Sequence, residues 1–300
     1  LGGNFALAAP DLPYTFEALL NCELTVQVST KLNRSHIVHG KRALILPCLG
    51  RTDRDLQASG EQGVTVEDSM SMVHISYGMK EPASPQLRSE CSILAGMAQA
   101  TLPKSKTPWQ EYVDDYDRIR DTMAQVLDGF EDFNRRVRHP HGFRLSQPAR
   151  QRGFLTSSGR AEFSHAPLPD DVDPGEGRLI LATVRSHDQF NTTIYSNDDR
   201  YRGLKGLRTV VFMNDEDMRD RGLGEFDLVD VTSISKDGSR RAVYGYHAVR
   251  YDVPRGCAAG YMPELNVLCG IADYSTQSEQ PLTKHLAVEI APSATNGQLT

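Results

Sequence analysis

The chain has 300 residues, with 33 Lys and Arg against 39 Asp and Glu, a net charge of −6. Hydrophobic residues make up 39% and charged residues 24%, ordinary globular values that exclude wholesale disorder and collagen-like repeats. No apolar run approaches the roughly 18 residues of a bilayer span. The acidic balance argues against a non-specific nucleic-acid binder, which needs a basic face, although local backbone amides can still hold a small polyanion.

One large or two ordinary domains fit this length. The chain opens Leu-Gly-Gly-Asn, without Met or a charged and apolar leader, and reads as cut just upstream, at the last residue of a strand. Residues 1–47 then read as an α/β unit: a helix over 14–21, a strand over 23–28, a helical turn or two over 32–40, and a short apolar strand over 43–46 stopped by Pro47. Short apolar strands alternating with helices favour a parallel sheet. Residues 64–68 and 72–76 are spaced to pair as a β-hairpin.

Ser89 can cap a helix carrying Ile93, Leu94, Met97 and Ala98 on one side. A longer helix is predicted from Thr107-Pro108-Trp109-Gln110, with Thr107 as N-cap, Pro108 at N1 and Gln110 at the capping-box position. Its apolar set runs from Trp109 through Val113, Tyr116 and Met123 to Val126 and Leu127, and reads as core packing until Gly129 supplies the stop. Residues 131–177 read as a connector. They hold a basic run, Arg135, Arg136 and Arg138, taken as a solvated face, and an acidic, Pro-rich tract with Asp170, Asp171 and Asp173.

From residue 178 the pattern turns to β, with strands expected at 178–184, 208–213, 227–234, 240–250 and 285–290. Lys236-Asp237-Gly238-Ser239 makes a hairpin turn, and Asn214 caps a short helix over 215–221. Several strands with one or two helices suggest a closed barrel, which removes sheet edges.

Five cysteines stand at 22, 48, 91, 257 and 269 with no C-x-x-C pair, and read as buried or incidental thiols. Zinc and iron–sulfur sites want clustered ligands, so no protein-ligated metal is expected here. Phosphate-loop, dinucleotide-fold and nucleophile-elbow signatures are absent from the sequence. What remains is small polar residues just past strand ends, where open parallel sheets bind ligands. Gly3 and Asn4 form one such set, and Ser29, Thr30 and Asn33 another. Backbone amides, hydroxyls and Asn side chains there suit a phosphate or a base edge; ordinary turns would look the same. A second cluster follows the first barrel strand: Arg185 can fork onto a pyrophosphate, and Ser186, Gln189, Asn191 and Thr192 offer groups for a heterocycle edge. In a third segment, 254–266, Asn266 offers donor and acceptor. Cys257 is a candidate nucleophile with no His tied to it by local sequence.

The stretches GGNFALAAPD, VSTKLNRSHIVHGKRALILPCLGRTD, ATVRSHDQFNTTIYSNDDRYRG and YDVPRGCAAGYMPELNVL, in this order, with PLTKHLAVEI closing, resemble the C-terminal portion of bis(molybdopterin guanine dinucleotide) oxidoreductases. The nearest group is the formate dehydrogenase-like oxidoreductase alpha (molybdopterin) subunit family. The resemblance implies that residues 1–130 are the C-terminal part of a three-layer α/β molybdopterin domain, with 48–80 a β excursion. Residues 178–292 would form a double-psi β-barrel that binds the dinucleotide. Gly3, Asn4, Ser29, Thr30 and Asn33 fall on dinucleotide-contacting positions, Arg185, Ser186, Gln189 and Asn191 on the barrel's cofactor loop, and Asn266 and Lys284 on later contacts. The match departs at Gln189, where many relatives place a His.

The implied cofactor is molybdenum bis(molybdopterin guanine dinucleotide). An iron–sulfur cluster and any molybdenum ligand would belong to an N-terminal portion of the same polypeptide. The implied reaction is two-electron redox of a small-molecule substrate in the cytoplasm, with electrons passed to the cluster and on to a partner. A non-catalytic α/β and β-barrel module binding a nucleotide or a partner protein is the alternative. If one cofactor bridges the clusters, the loops 2–4, 29–33 and 185–192 face a common crevice. Lys31, Arg34, Arg185 and Lys284 would stand at its rim, and Asp170, Asp171 and Asp173 elsewhere.

Overall fold

A computed structural model describes residues 1–165, 167, 173–192 and 195–294. The chain divides into two compact units. One comprises Leu1, Val28–Lys31 and Leu46–Pro167, the other Gly2–Gln27, Leu32–Ile45 and everything from residue 168 onward.

The chain begins with helices α1 (Phe5–Ala8) and α2 (Leu12–Leu20), followed by strands β1 (Leu24–Ser29) and β2 (Arg42–Pro47), which pair as a two-stranded sheet. The region expected to be helical over 32–40 is a single 3-10 turn, Arg34–Ile37. Its start is fixed by Asn33, whose side chain accepts from Ser35 N–H, while His36 Nδ1 accepts from Asn33 N–H. The apolar pair Leu44 and Ile45 in β2 remains 50% and 46% exposed, against the burial that a parallel-sheet strand usually has.

The first unit carries two small ladders. β3 (Leu56–Gln57) pairs with β4 (Gly60–Glu61), and β5 (Val64–Glu67) forms the expected antiparallel hairpin with β6 (Met72–Ser76). Helix α3 (Glu90–Thr101) starts on Ser89, whose hydroxyl accepts from Ser92 N–H. The long helix expected from Thr107 is two helices, α4 (Trp109–Asp114) and α5 (Tyr116–Val126), and the residue at the first N-cap is Pro108, not Thr107. The break has a local cause. Asp115 adopts an extended backbone and its carboxylate caps α5 by accepting from Asp117 N–H at 3.0 Å, which favours a helix start over continuation. Val113 and Tyr116 are buried, but Val126 and Leu127 are exposed, so the end of the apolar stripe is not core.

The stretch read as a connector contains α6 (Phe133–Val137) and β7 (Phe143–Arg144), and β7 adds to the hairpin beside β6. Phe133, Val137 and Phe143 pack with Val73 in one cluster. The basic run there is only partly a solvated face, since Arg136 lies 4.0 Å over the Phe143 ring and Arg138 ion-pairs with Asp117.

The second unit is built on a closed six-stranded barrel. Its strands are β8 (Leu179–Val184), β11 (Val210–Met213), β12 (Leu228–Ile234), β13 (Arg240–Arg250), β14 (Cys257–Tyr261) and β15 (Leu286–Pro292). Two-residue strands β9 (Asp198–Asp199) and β10 (Leu204–Lys205) pair beside it. Around the barrel the order is β11-β13-β12-β15-β8-β14, with β14 returning to β11. The contacts β11–β13 and β8–β14 are parallel, and the others are antiparallel.

Every second residue of β8 and β12 is buried, as a strand with one face on the core requires. Leu179, Leu181, Val229, Val231, Val288 and Ile290 fill the interior, each worth about 1.5–3 kcal/mol of burial. β11 is buried on both faces, because Val210 and Phe212 pack outward with Leu204, Val249 and Tyr261. Helix α7 (Asp215–Asp220) starts on Asn214, whose side chain accepts from Glu216 N–H, and buries Met218. The turn at 236–239 is present, with Ser235 N–H donating to Ser239 O and Gly238 at φ +81°. Strand β14 falls in the stretch read from sequence as a fixed loop. Gly260 explains its fit: a Cβ there would lie 2.8 Å from Val210 O and 2.2 Å from Leu265 Cδ1.

Candidate functional site

The loop that follows β8 is held by one buried cation. Arg208, 9% exposed, donates from Nε to Glu264 Oε1 at 2.6 Å and from Nη2 to Glu264 Oε2 at 3.1 Å. The rest of the fork reaches Ser186 Oγ at 3.1 Å, Gln189 Oε1 at 3.1 Å and the Met262 carbonyl at 2.9 Å. Its guanidinium lies 4.2 Å from the Tyr195 ring centre and 4.6 Å from that of Tyr261. A planar cation over two aromatic rings, with each of its three nitrogens donating to an acceptor, is a fixed element rather than a mobile one.

Gln189 is consumed in the same network. Its Oε1 accepts from Ser186 N–H and from Arg208, and its Nε2 donates to Asn191 O and Met262 O, both at 2.7 Å. Both amide hydrogens are used, so this carboxamide has no donor left for a heterocycle. Ser186 is likewise buried. Arg185 and Asn191 face outward: Arg185 Nη2 donates to Asn191 Oδ1 at 2.9 Å, and Asn191 sits at φ +50°.

Lys284 Nζ reaches the carbonyl and hydroxyl of Thr183. Burial, and next the charge of Arg185, hold its pKa below the ordinary lysine value, which places the two cations near each other. Burial and then Glu264 raise the Tyr195 phenol, opposed by Arg208 and Arg34, so Arg34 belongs to the same neighbourhood. Arg34, Arg185 and Lys284 make no ion pair among the described residues. The one loop carboxylate, Asp188, is exposed and meets Ser186 Oγ at 3.5 Å.

The N-terminal segment of this unit docks on the loop. Asn4 Nδ2 donates to Thr192 O at 2.8 Å, its Oδ1 accepts from Ser35 Oγ, and Asn33 Nδ2 donates to Gly3 O at 3.2 Å. Asn266 donates to Leu7 O at 2.8 Å, while its Oδ1 is buried without a partner. The structure therefore brings Gly3, Asn4 and Asn33 to the segment that contains Arg185, Ser186, Gln189, Asn191 and Thr192, and ties Asn266 to the same N-terminal stretch. Ser29 and Thr30 lie in the first unit, where Ser29 Oγ donates to Lys31 O and Thr30 is exposed; Lys31 belongs there too. Asp173 accepts from Gly175 N–H, and Asp170 and Asp171 lie outside the described residues.

Cys257 opens a barrel strand opposite Ile180, and its thiol has no hydrogen bond to a His or carboxylate among the described residues. No group of three or more His, Cys, Asp or Glu side chains that could hold a metal ion occurs among the described residues. No helix among them is long and apolar enough to cross a membrane. Sequence reading missed Arg208 and Glu264. The available signal was an Arg set between Leu207 and Thr209, just ahead of the Val210-Val211 start of β11, where a charge needs a buried partner.

Residues 179–287 match the family described as "Molydopterin dinucleotide binding domain". The chain is 50% identical over 300 residues to proteins named "Uncharacterized oxidoreductase" from Mycobacterium bovis and Mycobacterium tuberculosis, covering 98% of this chain and 38% of theirs. It is 44% identical over 297 residues to Protein YdeP of Escherichia coli, covering 98% of this chain and 39% of that protein. The chain thus spans about two-fifths of the length of these curated relatives. Among solved structures, acetylene hydratase from Pelobacter acetylenicus matches with a TM-score of 0.60 at 14% identity, over 97% of this chain and 43% of that one; at that identity the likeness concerns the fold alone. Taken with the closed barrel and the cationic loop after β8, the family match identifies residues 179–287 as a molybdopterin dinucleotide-binding domain, in a chain similar over nearly all its length to part of proteins named oxidoreductases.

Proposed function

We propose that this chain binds the guanine dinucleotide arms of a molybdenum bis(molybdopterin guanine dinucleotide) cofactor in a formate dehydrogenase-like oxidoreductase. The observation that carries this reading is the set Arg34, Arg185 and Lys284, cations without ion-pair partners among the described residues, around the loop after β8 in a chain of net charge −6. An unpaired guanidinium and ammonium suit a pyrophosphate, which Arg can grip with two parallel hydrogen bonds. The buried, unpartnered Oδ1 of Asn266 is an acceptor that a donor from the base or ribose would satisfy. The donor set fits the group.

In this reading Arg185 forks onto phosphate, Lys284 adds a point charge, and the Asn191 side chain offers donor and acceptor to the base edge. Asn33 acts by fixing the Gly3 backbone and Asn4 by holding the Thr192 carbonyl, and Ser29 and Thr30 serve a second dinucleotide. The barrel is of the double-psi type, and residues 1–130 are part of a three-layer domain with a parallel sheet, from which 48–80 extends. When bound, the cofactor supplies two-electron redox chemistry at molybdenum, while the protein binds and orients it. An iron–sulfur cluster in a further portion of the polypeptide receives the electrons, and the enzyme works in the cytoplasm.

The test is Arg185→Ala in the full-length polypeptide, with molybdenum, pterin fluorescence and released guanine nucleotide measured per protein. Loss of a charge-assisted contact should lower retention about tenfold or more while the barrel stays folded. Cofactor content equal to wild type would overturn the assignment of Arg185.

A further inference from the structure

Gln189 lies in the loop proposed to hold the dinucleotide, and Arg208, from just before β11, reaches into it; both are buried and spend their recorded hydrogen bonds within the protein. Gln189 gives both amide hydrogens to main-chain carbonyls of Asn191 and Met262, and its oxygen is shared by Ser186 N–H and Arg208. Arg208 is enclosed by Glu264, Ser186, Met262 and the rings of Tyr195 and Tyr261. Buried amide and guanidinium groups bonded in this way do not exchange partners cheaply, because an orphaned polar atom loses its full solvation.

We propose that Arg208 and Gln189 are positioning residues, an internal staple that fixes the loop so that Arg185 and Asn191 are presented to the nucleotide, and that Gln189 itself makes no contact with the base. The inference rests on the proposed binding of a guanine dinucleotide but adds a division of labour within the loop. The staple joins two sequence-distant stretches, 186–191 and 262–264, through one cation. Preorganisation of this kind raises affinity by removing the cost of ordering the loop on binding. It acts on any nucleotide that uses Arg185, whereas a base-reading residue acts on guanine alone. Those two behaviours are separable by measurement.

The experiment has two arms on the full chain, comparing wild type with Gln189→Ala and Arg208→Lys. The lysine variant keeps a cation beside Glu264 but lacks the fork that reaches Ser186 and Gln189. In the first arm, hydrogen exchange without nucleotide should show faster exchange of the amides at 186–191 in both variants, with the amides of β8, β12 and β15 unchanged. In the second arm, GDP and ADP binding is titrated at a temperature where the barrel is folded. Both nucleotides should weaken by the same factor, about tenfold, so their ratio is preserved. Unchanged loop exchange, or unchanged nucleotide affinity in the folded variants, overturns the staple. A GDP-to-ADP ratio that collapses in Gln189→Ala also overturns it, by assigning Gln189 to the base. Wild-type protein that binds neither nucleotide would defeat the proposed function, while the exchange arm would still decide whether the loop is stapled.

Discussion

Asp11 and Arg241 lie 230 positions apart in the chain and form an ion pair whose side chains are 8% and 16% exposed. The same Asp11 oxygen accepts from Ile271 N–H at 3.2 Å, and Asp11 N–H donates to Cys269 O at 2.7 Å. Arg241 in turn donates to Ser235 and Ser239 at the hairpin end of β12 and β13. One carboxylate thus fastens the N-terminal segment to the barrel that carries the proposed site.

Asp11→Ala leaves Arg241 mostly buried without its partner, a situation that costs about 3 kcal/mol when one member of a buried pair is removed. Urea unfolding monitored on the barrel should show a loss of that size. A change below about 0.5 kcal/mol would class the pair with exposed ion pairs and remove its fastening role.

The depressed pKa of Lys284 predicts a pH dependence. Because burial and Arg185 favour the neutral amine in the folded state, the unfolded chain binds more protons than the folded chain between the two pKa values. This group's contribution to folding therefore becomes more favourable as pH rises through that interval. Binding a phosphate demands the opposite, the charged ammonium. Affinity for GDP should accordingly fall on raising the pH through the depressed value, earlier than an exposed lysine would allow. Lys284→Arg, which stays charged, should flatten the profile over the range below the ordinary lysine value. A wild-type profile already flat over that range would remove Lys284 from the phosphate contacts.

Two glycines separate packing from propensity. Gly260→Ala puts a methyl group against Val210 O inside the barrel wall and should destabilise by about 1–3 kcal/mol. Gly96→Ala in α3 meets nothing within 4 Å and should stabilise by about 0.5–1 kcal/mol through helix propensity. Thermal melts of the two variants should move in opposite directions; a shared direction would contradict the packing of β14.

Cys257→Ser should retain cofactor loading and activity in the full-length polypeptide, because the thiol opens a barrel strand and has no hydrogen bond to a His or carboxylate among the described residues. Lost activity at normal loading would restore Cys257 as a nucleophile.

Local chemistry was legible wherever the decisive contacts lie within a few residues. The caps at Ser89 and Asn214, the turn at 236–239 and the alternating strands β8 and β12 follow from side chains bonding to nearby backbone and from period-two burial. The break at Asp115 was missed because one residue served two local preferences, helix continuation and helix capping, and capping won. The residues of the loop after β8 were also legible as a polar cluster past a strand end.

Their division into outward and inward groups was not. Gln189 and Arg185 look equally available in the sequence; only the arrival of Arg208, Glu264 and the Met262 carbonyl from other parts of the barrel fills one and leaves the other open. Strand β14 was hidden for the same reason, since Cys-Ala-Ala-Gly-Tyr has weak strand preference and is held by partners on β8 and β11. The sequence by itself determined which residues could bind a polyanion and five of the six strands that close the barrel, because hydrogen-bonding type and strand preference are properties of the chain. Tertiary structure alone decided which of those polar groups remain unsatisfied, because that depends on partners brought from 19 to 188 positions away.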